Sequence, residues 1–495
     1  MKNANSVLWF HLKQIMFAAG FSLLLPAAYA YYAKQDVLRY MLVTSAVLML
    51  PGLPYALKSA THTVWDAVKR LFHAPASVAS WNYALKILTP TYLTHLEEKE
   101  ITRSQAIVLA ALSWVIIPLI ASIPYFYAGL NAQDAVFESM SGWTATGLTV
   151  IQNVEALPSS LLFYRSFTQW VGGVGILLFA LFVLRAPAAG KLLQAEGRSL
   201  TEPNARKTAK IIWGIYVSIT LVGVCLAFLS GLQLLKAVNL TMTAVATGGF
   251  ITTNSLTLTF LQKIVFVLLM LAGATSFTLY YRAFKENWRS VFKHSEFKAM
   301  LGLVVLVGTL IVVSQKTVPE NAVFQATSAL TGTGLAVEKI EYWSEFAKYL
   351  LILLMVSGGC SGSTTGALKL WRVIVLSKTL WMRIKSVFLP ERAIQVIKVN
   401  NHPLTSDEAI ESGNFVFIYL FALVIATGAV MVLGFSAINS AFAVASALGN
   451  VGLTTIPDLY AFPALGKLVL VCCMWLGRIE ILPSIVFFAF ILKKT

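Results

Sequence analysis

Four times along this chain a short apolar segment runs into a glycine followed by Leu or Phe, and each time apolar segments of membrane length flank it. The four stops are Thr144-Ala145-Thr146-Gly147-Leu148, Ala246-Thr247-Gly248-Gly249-Phe250, Thr331-Gly332-Thr333-Gly334-Leu335 and Gly449-Asn450-Val451-Gly452-Leu453. Their apolar landmarks, Leu148, Phe250, Leu335 and Leu453, lie 102, 85 and 118 residues apart. Repetition at this scale predicts four similar units around one axis. A ring of four loops is how backbone carbonyls replace the water shell of a potassium ion. The pattern reads as a cation pore.

Composition agrees on the solvent. The 495 residues are 57% hydrophobic and only 12% charged, with a mean hydropathy of +0.74. Charge this sparse cannot cover a soluble protein of this size, so lipid must solvate most of it. The formal charge of +16 would suit nucleic acid, but its placement argues otherwise. Of 38 Lys and Arg, 28 fall at the two termini and in the loops 58–103, 185–210, 282–298 and 369–398. Eight fall on the opposite side, and Arg165 and Arg478 lie within apolar segments. That asymmetry is the positive-inside rule, and it places both termini and the basic loops in the cytoplasm. No polar domain with clustered bases and aromatics is present to hold nucleic acid.

Met1–Asn5 leads into an apolar stretch broken by Lys13 without a small-residue cleavage site, so no cleaved leader is expected. Cys225, Cys360, Cys472 and Cys473 sit in apolar segments without disulfide or metal spacing, and the six histidines are scattered. Neither metal nor nucleophilic catalysis has a foothold, and no cofactor is expected.

Spans of about 20 apolar residues are needed to cross the hydrocarbon core. Candidates are 9–31, 40–57, 105–129, 157–184, 208–231, 257–281, 296–314, 344–378, 409–434 and 462–492. Between them lie segments too short to span, 133–145, 235–246, 320–331 and 437–449, each just ahead of a glycine stop. The expected fold is an all-α membrane protein of ten transmembrane helices. A leading pair with its cytoplasmic loop occupies 1–104. Four helix, pore-helix, loop, helix repeats follow at 105–190, 191–285, 286–385 and 386–495. Irregular backbone at membrane depth survives only where protein buries it or water lines it. Each half-helix would also point its partially negative C-terminal end at a cation on the axis.

A carbonyl aimed at an axis often requires backbone dihedrals closed to residues with a side chain, which singles out Gly147, Gly249, Gly334 and Gly452. The expected ion-lining set is Thr146, Gly147, Gly248, Gly249, Thr333, Gly334, Val451 and Gly452. Thr144, Thr146, Thr247, Thr331 and Thr333 either contact ions or pin the loops.

At these residues the chain resembles the Trk/Ktr/HKT superfamily of potassium transporters, and within it the bacterial TrkH/TrkG type, over nearly its whole length. Arg165-Ser-Phe-Thr-Gln-Trp-Val-Gly-Gly-Val-Gly175 resembles the second helix of the family's first repeat, and Gly358-Gly-Cys-Ser-Gly-Ser-Thr-Thr-Gly-Ala-Leu-Lys369 its broken helix in the third. The leading pair of spans favours TrkH/TrkG over the shorter KtrB type. The resemblance implies a potassium-uptake subunit of the bacterial cytoplasmic membrane. It further implies a homodimer with one pore per subunit, regulated by a cytosolic nucleotide-binding ring similar to TrkA. The chain departs from the family at Ala367, where a glycine is common, and in a short loop after Gly452.

The 35 residues of 344–378 would measure about 52 Å as one helix, well over the hydrocarbon thickness of about 30 Å. Their middle, 358–366, breaks helices and offers hydroxyls to the freed backbone. A loop across the pore beneath the filter is expected, with Gly358, Gly359, Gly362, Ser363 and Gly366 in it, as the resemblance to the family's intramembrane gate implies. Lys369 at the cytoplasmic edge is explained by snorkelling. Arg478 stands mid-way along the last span, where insertion costs about 2.5–3.5 kcal/mol. Glu480 is two residues away and points elsewhere, so its partner is expected on another helix or on the gate loop, and its charge would oppose cation dwell.

The outer acids Asp134, Glu138, Glu155, Glu320, Glu338, Glu341, Glu345 and Asp458 would concentrate cations, but eight bases offset them, so most are expected to be solvated surface. The leading function is potassium uptake through a gated, channel-like pore. K+/H+ or K+/Na+ symport would want a charged midplane site, for which Arg478 and Glu480 are the candidates. A lipid-modifying membrane enzyme would need paired carboxylates or His clusters, and none repeats with the units. The basic loops 185–210, 282–298 and 369–398 are the expected docking surface for the regulatory ring, or for lipid phosphate.

Overall fold

A computed structural model describes residues 2–54, 101–176, 178, 180, 205–285, 287–390, 397–400 and 402–492. Most of the basic loops 58–103 and 185–210, and the end of the span 157–184, lie outside them. Regular secondary structure among the described residues is helical apart from one antiparallel hairpin, Lys398–Val399 with His402–Pro403. The chain is a multi-pass membrane protein. Five helices are long and apolar enough to cross a membrane, seven if each of two bent pairs is one span, counted among the described residues.

Two compact units divide the chain. In the first, helix Lys2–Ser22 packs against Leu38–Met49 and Arg103–Ile120. Close approach rests on glycines: a Cβ at Gly20 would meet Leu48, and one at Gly52 the Lys13 carbonyl. Thr102 and Gln105 close a capping box that starts the third helix.

The second unit, Leu130–Val174 with Ile211–Leu482, carries all four glycine stops. Its short segments are helices of 12 residues each: Ala132–Trp143, Leu234–Val245, Pro319–Leu330 and Ala437–Leu448. At about 18 Å apiece they cannot span. Asn131 and Ser436 cap the first and fourth through side-chain oxygens. The C-terminal halves of all four are buried. At three of the four short helices the following helix comes close through a glycine: a Cβ at Gly172, Gly273 or Gly477 would strike the carbonyl of Trp143, Val245 or Leu448, the last residue of the short helix. Long helices such as Ser295–Gln315 and Ser406–Met431 instead expose Val305, Leu306, Phe417 and Val424, the surface that lipid solvates.

Three expected spans are interrupted. The segment 344–378 divides into Glu345–Ser357 and Leu370–Ser386. The segment 257–281, expected continuous, breaks between Phe260–Gly273 and Phe277–Lys285 with a bend of 92°. The last span stops at Arg478 and resumes at Leu482. The small residues Gly273, Ala274, Thr275 and Ser276 explain the second break, because they leave room for another segment to take up the freed backbone.

Candidate functional site

Each short helix ends the same way. The residues two before the ring glycines, Ala145, Thr247, Gly332 and Asn450, are left-handed with φ of 53°, 53°, 68° and 52°. The next residue's N–H reaches back five positions: Thr146 to Ser141 O (2.9 Å), Gly248 to Thr243 O (2.8 Å), Thr333 to Ser328 O (2.9 Å) and Val451 to Ser446 O (2.8 Å). The left-handed residue bonds three back in all four, to Gly142, Ala244, Ala329 and Ala447. This pair of bonds is the Schellman motif. It satisfies the end of the helix and throws the chain abruptly sideways.

The glycines that follow have φ of 97°, 79°, 77° and 100° at Gly147, Gly249, Gly334 and Gly452. A Cβ on Gly147 would collide with Gly248 O, one on Gly249 with Thr333 O, one on Gly334 with Val451 O, and one on Gly452 with Thr146 O. Loop one meets two, two meets three, three meets four, and four meets one. The cycle closes with all eight expected ion-lining residues in it. Any side chain at the four glycines is doubly excluded, by dihedral and by space.

The threonines pin the loops. Thr144 and Thr331 hydroxyls donate to Met140 O and Thr327 O at 2.7 Å and pair with Thr146 and Thr333 at 2.8 Å. Asn450 Nδ2 donates to Thr146 Oγ1 (3.0 Å) and Met474 O (2.9 Å). Loop two is held by Gln169, whose Nε2 donates to Gly248 O and whose Oε1 accepts from Phe250 N at 3.0 Å.

Behind loop one, Glu138 accepts from Arg165 Nε (3.0 Å), Thr149 Oγ1 (3.0 Å) and Val150 N (3.1 Å). Asp134 pairs with Lys467 at 2.6 Å. Both acids are buried. They are therefore exceptions to the expectation that most outer acids are solvated surface: each carries a cationic partner that makes burial tolerable.

The segment 358–369 is a loop stitched onto the broken helix of the second repeat. Cys360 N donates to Ala274 O (3.0 Å), Phe277 N to Gly362 O (3.4 Å) and Thr364 N to Gly273 O (3.3 Å). Gly359 O accepts from Leu370 N at 2.9 Å, and Ser363 Oγ donates to Cys360 O at 2.7 Å. Gly366 lies against Gly449 O and Asn450 Oδ1, closer than a Cβ would allow. Glu296, buried, accepts from Ser361 N at 2.6 Å. Ala367, where the resemblance expects glycine, is left-handed at φ 63°.

Arg478 crosses to this loop. Its Nη1 donates to Thr364 O (3.1 Å) and its Nη2 to Gly173 O (2.9 Å) and Gly172 O. These contacts are carbonyls on the 358–369 loop and on the helix Ser159–Val174, so the partner lies off its own helix, as the sequence anticipated in part. Lys369 does not snorkel. It is buried and pairs with Glu480, which also takes Arg372 Nη2 at 2.6 Å. Gly358, Gly359, Gly362, Ser363, Gly366 and Arg478 therefore meet in one region.

Sequence reasoning missed Gln169, Asn450 and Glu296 as contributors, and named Thr364 only as one of the hydroxyls of 358–366. Gln169 and Asn450 carried a signal, being amides in otherwise apolar or small-residue stretches. Glu138 and Arg165 carried a stronger one: opposite charges within the apolar segments of a single repeat.

Among known proteins, a family model described as TrkH, cation transport protein, matches residues 78–318 and 308–494. An uncharacterized cation transporter of Methanocaldococcus jannaschii is 34% identical over 408 residues, 80% of this chain and 85% of that protein. The Trk system potassium uptake protein TrkH of Escherichia coli K12 is 29% identical over 482 residues, 90% and 98% of the two chains. The crystal structure of the potassium transporter TrkH from Vibrio parahaemolyticus matches with a TM-score of 0.78 at 25% identity, over 96% of this chain and 98% of that one.

Proposed function

Because the chain belongs to the TrkH family of cation transport proteins, we propose that it takes up potassium through a gated pore whose filter is the four-loop ring. The observation that carries this reading is the closed cycle in which each ring glycine abuts the carbonyl of the next loop. Carbonyls held by neighbouring backbone replace an ion's hydration shell without having to reorganise. The eight residues Thr146, Gly147, Gly248, Gly249, Thr333, Gly334, Val451 and Gly452 line it, and the four short helices direct their C-terminal dipole ends towards it.

The 358–369 loop with Arg478 forms the gate. A guanidinium bonded to Thr364 O on the loop and Gly173 O on the first repeat adds positive charge to the barrier, and a cation passes only when those bonds yield. In this reading the chain has a leading pair, 1–104, and four repeats, with both termini in the cytoplasm of a bacterium and the protein in its inner membrane. It works as a homodimer with a TrkA-like nucleotide-binding ring on the basic loops, and it performs no catalysis and needs no cofactor. Support comes from the charge asymmetry and from the relatives' names as Trk system potassium uptake proteins.

Complementation tests the function. A potassium-uptake-deficient bacterium at low external K+ is expected to grow with this chain and to fail with Gly334→Ser. Growth unaffected by the substitution would count against the filter.

A further inference from the structure

We propose that Thr364 of the gate loop is a positioning residue for the filter: its hydroxyl holds Thr247, and through it the Gly248 carbonyl, so ion discrimination depends on where the gate loop sits. This rests on the reading of the four-loop ring as the filter and deepens it.

Backbone strain is unequal among the four loops. Of the four left-handed helix-end residues, Gly332 takes the conformation freely and Asn450 tolerates it. Ala145 is less suited, and Thr247, being β-branched, is the least suited of all. A residue persists there only when its surroundings fix it. Thr247 Oγ1 lies 3.1 Å from Thr364 Oγ1 and 2.7 Å from Ala246 O, while Thr364 Oγ1 lies 3.0 Å from Gly273 O and 3.3 Å from Val245 O, so the two hydroxyls share their protons with each other and with the backbone carbonyls behind loop two. Both threonines are 1% exposed, so water cannot replace either bond.

The residue after Thr247 is Gly248, whose carbonyl stands in the ring against Gly147. A shift of Thr247 therefore moves a filter oxygen directly. Thr364 is tied on its other side to the gate, since its carbonyl accepts from Arg478. Gly366 of the same loop touches Gly449 O and Asn450 Oδ1 in loop four. The gate loop thus supports loops two and four, which are alternate members of the cycle. A displacement that frees the pore also removes the support from loop two.

The test measures ion binding in the resting protein, with the gate loop in place. Apparent K+ and Na+ affinities are read from thermal stabilisation of the full-length protein in detergent. Thr364→Val, which keeps shape and loses the hydroxyl, is expected to narrow the K+/Na+ affinity ratio by about three- to tenfold, the range for one net hydrogen bond. Thr247→Val should narrow it equally, the double variant no further, and Thr364→Ser should restore it. Thr247→Gly removes the hydroxyl together with the strain. It should lower the ratio without lowering the unfolding temperature, whereas a merely structural role would move the temperature and leave the ratio.

A wild-type ratio in Thr364→Val, whatever its flux, would overturn the proposal. If that variant does not fold, a wild-type ratio in Thr247→Gly overturns it instead. Gly334→Ser separates the two readings: an unchanged ratio there removes the filter itself, and a collapsed ratio there beside an intact one in Thr364→Val removes only the role of Thr364.

Discussion

Arg165 grips Glu138 through Nε and Nη2, at 3.0 and 2.8 Å from Oε1, with the two side chains 1% and 0% exposed. The same guanidinium stacks over the Phe250 ring at 4.0 Å and donates to Ile251 O at 3.1 Å. One ion pair therefore braces loop one against the exit of loop two. Arg165→Met leaves a buried carboxylate unpaired and is expected to cost about 3–5 kcal/mol. Thermal unfolding in detergent measures it, and the double variant with Glu138→Gln should recover part of the loss. No drop in the single variant would contradict the bracing role.

If the 358–369 loop is the gate as proposed, Arg478→Ala removes the donor to Thr364 O and Gly173 O together with a positive charge at the barrier. Basal Rb+ uptake into proteoliposomes lacking any partner protein should rise. Unchanged uptake and gating would sink the assignment.

At the lower end of the same loop, Glu480→Gln deprives Lys369 and Arg372 of their shared carboxylate. The loop's anchor weakens and basal uptake should rise, less than for Arg478→Ala because the upper bonds remain. A variant as tightly closed as the wild type would show that this anchor does not restrain the gate.

On the polar side, His294 bonds Asn400 at 2.9 Å beside the short hairpin, and burial, then the charge of Arg282, holds its pKa below 6.5. The folded protein therefore binds this proton less readily than the unfolded chain. Stability is intact above pH 6.5 and declines as pH falls below it. Unfolding temperatures between pH 7.5 and 5 should fall more steeply for the wild type than for His294→Asn. Parallel curves would refute the contribution.

Much of this was legible in the sequence, for identifiable reasons. The short helices were readable because length against bilayer thickness is a hard constraint, and the ring glycines because so few residues accept their dihedrals. The break of 344–378 was readable because 358–366 has no helix-forming residue to bridge it. Asp134, Glu138 and Lys369 were misjudged, because a charge looks solvated until its partner, such as Lys467 for Asp134, comes into view from a distant repeat. The break at Ala274 was equally hidden. It goes with the 358–369 loop, which bonds Gly273 O and Ala274 O from about 90 residues away in the chain. The left-handed helix ends were missed for a different reason: only Gly332 of the four is the glycine that announces the motif.

The proposed function requires that ions pass through the glycine ring. Rb+ uptake against excess Na+, measured in proteoliposomes for the wild type and for Gly334→Ser, tests it most directly. Discrimination in the wild type and its loss in the variant is the predicted result, because the added side chain strikes Val451 O in the ring. Equal rates and equal resistance to Na+ in the two proteins would contradict it.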